Sequence, residues 1–276
     1  MATNKTDSGV PAAAAPKTEA RGGKLALGLI FAAALVLALL FSAAATDAAA
    51  AARLSQVPVL GDVIRIIPAR RYQTAGGNTQ AQIDTLRIHG LTDAALEQQL
   101  NEKFAAYADQ LIAGYETDVA AMGAEGHESV TSSLGEVTQT DRILAVQIIT
   151  DVATGSCTES LRWYNIDKQT GRLLSLADLF APGADYVTAL SDDLRAQMQA
   201  ALARDANAGY FLKSDNDPGG FDRIAADQQF TIDKNGRLVL VFDEATVAVA
   251  SMGPVAFTVS PAAVAGIAAA GGPLTA

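Results

Sequence analysis

The chain has one cysteine, two histidines, one tryptophan and an aromatic fraction of only 6% in 276 residues. A lone Cys157 cannot close an internal disulfide, which excludes a small disulfide scaffold; the expectation for it is a small buried core residue. Histidine is too scarce and scattered for a zinc centre. His89 and His127 fall in different predicted elements, neither stands in an H-E-x-x-H or H-x-E arrangement, and both read as surface or strand-end residues. Positive charge is also short. With 20 Lys+Arg against 30 Asp+Glu and a formal charge of −10, the surface would repel phosphate, which excludes a nucleic-acid binder. No G-x-S-x-G elbow, P-loop or G-x-G-x-x-G turn is present, so no cofactor is expected and nucleotide chemistry has no foothold. Nothing singles out a carboxylate pair for glycan hydrolysis.

What the chain does have is apolar sequence, half of its residues, and one segment concentrates it. Residues 25–45, LALGLIFAAALVLALLFSAAA, carry no charge. At 1.5 Å per residue they cover about 31 Å, the thickness of a bilayer core. Lys5, Lys17, Arg21 and Lys24 precede the run and the next basic residue is Arg53, so the positive-inside bias leaves residues 1–24 in the cytoplasm. The rival reading is a cleaved secretory signal, with Ala43 and Ala45 as an A-x-A site before Thr46. The long polar leader and the long apolar run to Phe41 favour an uncleaved anchor, and both readings put residues 46–276 outside. Removing the leader's two acids and four bases leaves 28 against 16, so the exported part carries −12.

The organisation expected is a disordered cytoplasmic leader at 1–24, a transmembrane helix at 25–45, an Ala-rich stalk at 46–56, an outer domain at 57–267 and a flexible tail at 268–276. Within the domain, residues 79–88 alternate as a strand. Leu96, Leu100, Phe104, Tyr107, Leu111, Tyr115, Val119 and Met122 then recur every three or four residues and share one helix face, with Thr92 as N-cap. That aromatic stripe reads as core rather than a ligand box. Residues 129–140, 142–154 and 157–166 read as successive antiparallel strands, with Leu144, Val146 and Ile148 on one face. A second helix buries Val187, Leu190, Leu194, Met198 and Leu202. Residues 229–232 and 237–242 form a hairpin around Asn235 and Gly236, whose type supplies positive φ angles. A strand at 255–259 and a short helix from Pro261 follow. The fold class is α+β, a mainly antiparallel sheet packed with two amphipathic helices behind one transmembrane helix. The acidic SDNDPGGFD segment, with Asp215, Asn216, Asp217 and Asp222, lacks the EF-hand ligand order; it reads as a solvated turn, and no metal site is expected.

Residues 163–180, WYNIDKQTGRLLSLADLF, residues 230–253, FTIDKNGRLVLVFDEATVAVASMG, and the juxtamembrane VPVLGDVIRIIPARRY at 57–72 resemble the extracytoplasmic domain of RsiV-like anti-sigma factors. The resemblance implies an outer domain that binds lysozyme or another cell-wall ligand, and a cytoplasmic tail that holds an extracytoplasmic-function sigma factor. It also implies a stalk cut by signal peptidase, here at Ala43, Ala45 and Thr46, and no catalysis. The same kind of ectodomain precedes peptidoglycan deacetylase domains, so a cell-wall enzyme or accessory module is the alternative. The leader has no Leu, Ile or Phe before Leu25, so it lacks the apolar face of a sigma-binding helix. Where the family has a Tyr and a Pro-Tyr pair, this chain has Ala245, Val249 and Ala250. The ligand contacts are therefore expected at Ala245, Val249 and Ala250, helped by Phe211 and Phe221 of a neighbouring loop, with weak affinity for lysozyme. The topology is testable: a reporter fused after Ala276 is expected to be active only outside the cytoplasm, and cytoplasmic activity would refute the anchor reading.

Overall fold

The computed structural model describes residues 64–123, 125–205, 208–214 and 219–274. The leader, the expected span, the stalk with Ala43, Ala45 and Thr46, and Asp215 to Asp217 lie outside the described residues. Among the described residues no helix is long and apolar enough to cross a membrane.

Six strands form one sheet in chain order: β1 (Arg65–Gly76), β2 (Thr79–His89), β3 (Glu128–Gln139), β4 (Ile143–Ala153), β5 (Cys157–Asp167) and β6 (Arg172–Leu174). All neighbours are antiparallel except β2 and β3, which run parallel over residues 79–83 and 128–132. The parallel step, absent from the sequence reading, follows from α1 (Ala94–Ala121), because a helix between two neighbouring strands returns the chain in the same direction. A smaller antiparallel sheet holds β7 (Phe230–Ile232), β8 (Leu238–Phe242) and β9 (Val255–Thr258). Two further helices, α2 (Tyr186–Arg204) and the one-turn α3 (Pro261–Val264), complete an α+β fold whose sheets are mainly antiparallel.

The apolar patterns account for the layers. On α1, Leu96, Leu100, Phe104 and Tyr115 are buried and Tyr107, Leu111 and Val119 pack beside them. Phe104 meets Tyr164 of β5 edge to face at 4.9 Å. The helix starts one residue later than Thr92: Asp93 is the cap, its Oδ1 accepting the N–H groups of Ala95 and Leu96 at 2.9 and 3.1 Å. Asn101 of α1 grips the end of β2, accepting the Ile88 N–H at 2.8 Å and donating to the Ile88 carbonyl at 3.1 Å. On the other face of the sheet, Ile143 and Ala145 join Leu190, Leu194 and Met198 of α2 and the inner residues of the small sheet in the largest core cluster.

Other details depart from expectation. In the 233–236 turn only Gly236 takes a positive φ, 75°, and Asn235 does not. The Asp233 carboxylate holds the turn instead, accepting the N–H groups of Asn235 and Arg237 at 2.8 and 2.9 Å. Cys157 is exposed, not core, because it opens β5 at the rim of the sheet. Burial, then Asp151, Glu244 and Glu159, push its thiol up, so it stays protonated. The stretch expected as a flexible tail from 268 is tied down instead: the Ala269 N–H donates to the Leu179 carbonyl at 2.9 Å, the Arg142 guanidinium donates to the Gly272 carbonyl at 2.5 Å, and Leu274 packs on the core.

Glu128 sits at the start of β3, 2% exposed, with Oε2 unpartnered and Asp118 of the last turn of α1 nearby. Burial first and Asp118 second raise its pKa. A carboxyl raised in the folded state supports folding below its ordinary range and loses that support as pH rises through the raised value. Glu128→Gln is therefore expected to raise the melting temperature at about pH 7 and to leave it nearly unchanged at about pH 4. A thermal melt series with no gain at neutral pH would refute it.

Candidate functional site

The loop between β8 and β9 carries three of the five expected contact residues, and all three are exposed. Ala245 takes φ 61°, a left-handed conformation no other non-glycine residue among those described adopts. For an L-residue this costs about 1–2 kcal/mol, so the loop is held by its surroundings rather than by its own preference. Val249 is 37% and Met252 40% exposed, the two large apolar side chains most open to solvent among the described residues. They flank Ala250, which opens a 3-10 turn at Ala250–Met252.

The second expected segment lies against this loop. The Val249 N–H donates to the Gly209 carbonyl at 2.9 Å and the Phe211 N–H to the Val247 carbonyl at 2.9 Å. Phe211, half-buried, thus lies opposite Val247, and Gly209 opposite Val249. Phe221 is not available to a partner: it is 8% exposed and packs edge to face on Phe242 at 5.8 Å. Its place in a Gly- and Asp-rich stretch concealed a core residue. Asp222, from the acidic cluster, pairs with Lys213 at 2.9 Å.

Sequence reasoning missed what fixes this loop to the large sheet. β6 covers only the last residues of β5, which leaves the preceding N–H groups without a neighbouring strand. Side chains take its place. Glu159 N–H donates to Glu244 Oε2 at 2.9 Å, Leu161 N–H to Asp243 Oδ1 at 3.0 Å and Trp163 N–H to Gln229 Oε1 at 2.9 Å. In return the Glu244 N–H donates to the Glu159 carbonyl at 3.2 Å. Asp243 and Glu244 immediately precede Ala245, so this clasp imposes the strained conformation at the root of the loop. The only sequence signal was the adjacent acid pair at the end of a strand, which reads equally well as a solvated turn.

Over 228 residues the chain is 30% identical to the anti-sigma-V factor RsiV of Bacillus subtilis (strain 168), covering 82% of this chain and 79% of that relative. The chain belongs to the RsiV family. A family model described as a protein of unknown function, DUF3298, matches residues 177–261 of this chain, the stretch that builds α2, the small sheet and the exposed loop. Among solved structures, a DUF3298 family member from Bacteroides fragilis NCTC 9343 aligns with TM-score 0.50 at 18% identity, covering 75% of this chain and 94% of that one. A second family member, from Pseudomonas aeruginosa, gives 0.49 at 18% identity over 75% and 94%. The first of these shows that the fold is shared.

The clasp predicts an exchange pattern. In an Asp243→Ala, Glu244→Ala double variant the amides of Glu159 and Leu161 are expected to lose hydrogen-exchange protection, while the even-numbered amides of β5, which face β4, keep theirs. Unchanged protection at Glu159 and Leu161 would show that the acids do not hold the edge.

Proposed function

We propose that this RsiV-family chain is a single-pass membrane protein with residues 1–24 in the cytoplasm, residues 25–45 in the bilayer and the domain from residue 57 outside. It works as a sensor that regulates an extracytoplasmic-function sigma factor in response to a cell-envelope ligand such as lysozyme, without catalysis of its own. The observation that carries this reading is the match to an anti-sigma factor over most of both chains. The uncharged 21-residue run supports the anchor, and the paired alanines at 43 and 45 support processing by signal peptidase in front of Thr46.

The exposed loop of Ala245, Val249 and Ala250, with Phe211 beside it, is the ligand-reading surface in this proposal. Interfaces draw most of their energy from a few desolvated aromatic or Arg anchors. Two alanines and a valine supply little area and no polar handle, and Phe221 is spent on the core. Lysozyme is therefore expected to bind weakly here. The −12 of the exported part attracts a basic protein at long range, but at physiological salt this is screened beyond about 8 Å.

Two measurements test the proposal. The intact protein is extracted from membranes and its partners identified; a sigma factor held without an apolar helix face on residues 1–24 is the expected outcome, and none in any growth condition would overturn the anti-sigma role. Titration of the purified protein with lysozyme at low and physiological salt is expected to give binding that fades with salt, whereas nanomolar affinity surviving at physiological salt would refute the weak-surface reading.

A further inference from the structure

The two sheets diverge away from the β5 edge and leave a wedge of about 640 Å³, within the range of small-ligand clefts. Its floor is the face of the large sheet turned away from α1, with Gln147 and Trp163; its roof is the face of the small sheet turned away from α2, with Thr231, Val239 and Val241. The closed end is the seam where β5 meets β7, stitched by Asn165 Nδ2 donating to the Phe230 carbonyl at 2.7 Å.

That seam concentrates unmet hydrogen-bonding capacity. Four buried side-chain atoms among the described residues have no partner, and three of them are here: Trp163 Nε1, Asn165 Oδ1 and Thr231 Oγ1. Asn165 is 1% and Thr231 9% exposed. Leaving such groups unpaired is costly, so their clustering marks a place where a polar group belongs. Gln147 adds to it. Its Oε1 accepts the Glu136 N–H at 2.9 Å in the bulge of β3, which fixes the amide and leaves its Nε2 donors to the wedge. The bulge is made for this contact: a Cβ on Gly135 would lie 2.4 Å from Gln147 Oε1 and 2.7 Å from Ile149 Cγ1.

We propose that this wedge is a binding site for an N-acetylated amino sugar, separate from the exposed loop. An acetamido group offers what the seam lacks: a carbonyl to accept from the Gln147 amide or, after a shift of the ring, from the indole N–H, an N–H to donate to Thr231 Oγ1 after a turn of χ1, and a methyl for the valine walls. The sugar ring then lies toward the mouth, where Glu136, Thr138 and Lys234 present partners for hydroxyls. A peptide has the same amide, but it is read best by adding a strand to a sheet edge. Two edges do border the wedge, β9 and β3 beyond Ser132, but the unpaired seam groups are side-chain atoms that lie on neither, and the outward N–H of Trp163 is taken by Gln229, so a peptide is the outcome that tetraglycine tests.

Trp163 is the only tryptophan in the chain, so its emission reports occupancy directly. The full-length protein in detergent is titrated with tri-N-acetylchitotriose, with cellotriose, which has the rings but no acetamido groups, and with tetraglycine, which has the amides but no rings. Saturable change with the first, at least about tenfold tighter than with either other probe, is the expected result. Thr231→Val, which keeps the shape of the side chain, and Gln147→Leu are each expected to weaken it by about tenfold, with thermal melts showing which variants remain folded. If Gln147→Leu does not fold, Thr231→Val carries the test alone. Equal response to cellotriose, preference for tetraglycine, or no saturable change with any probe would overturn the proposal. So would a crystal structure soaked in the acetylated sugar in which a single water fills the seam and no sugar enters the wedge.

Discussion

β4 must be covered on both faces, and the remaining architecture answers that demand. From Ile143 to Ile148 every residue is buried. Leu144, Val146 and Ile148 point to α1, while Ile143 and Ala145 point to the core under α2 and the small sheet. A strand with no polar face has to be central, so one helix and one helix-backed sheet must close over it from opposite sides. The long crossover between β2 and β3 provides the first cover. Everything after β6 provides the second, which is why the chain stays packed to Leu274.

The second cover is also where the chain faces outward. The small sheet carries its β8–β9 loop at the margin of the large sheet, and the loop's root is pinned by Asp243 and Glu244 to the backbone of β5. Between that root and the exposed pair Val249 and Met252, Val247 and Ala248 are buried in the core and the Val249 N–H bonds the Gly209 carbonyl, so the loop is tied both to the sheet edge and to the core. In a sensor this arrangement would couple surface occupancy to the junction of the two sheets.

Much of this was legible in the residues. The alternation of Leu144, Val146 and Ile148, the helical spacing from Leu96 to Val119 and the 233–236 turn give three elements their type and inner face. The other face of β4 was less visible, because Ile143 and Ala145 are separated from their partners on α2 by about fifty residues and periodicity is blind to that distance. The same limit explains Phe221 and Cys157: an aromatic in a polar loop turned inward, and a small apolar residue at a strand end turned outward. For the candidate site, the loop residues were reached only through the family resemblance, whereas the clasp depends on which N–H groups β6 fails to cover. No local pattern encodes that.

Both margins of the large sheet are guarded, and by different means. β1 carries Pro68, an irregular register between Pro68 and Arg70, and the arginines Arg65, Arg70 and Arg71. The opposite margin is sealed by carboxylate and amide side chains, as Asn101 seals the end of β2. A sheet so guarded offers no ready template to a second copy of itself. Crowded on a surface at high density, copies of the domain are kept from growing into fibrils through these two margins.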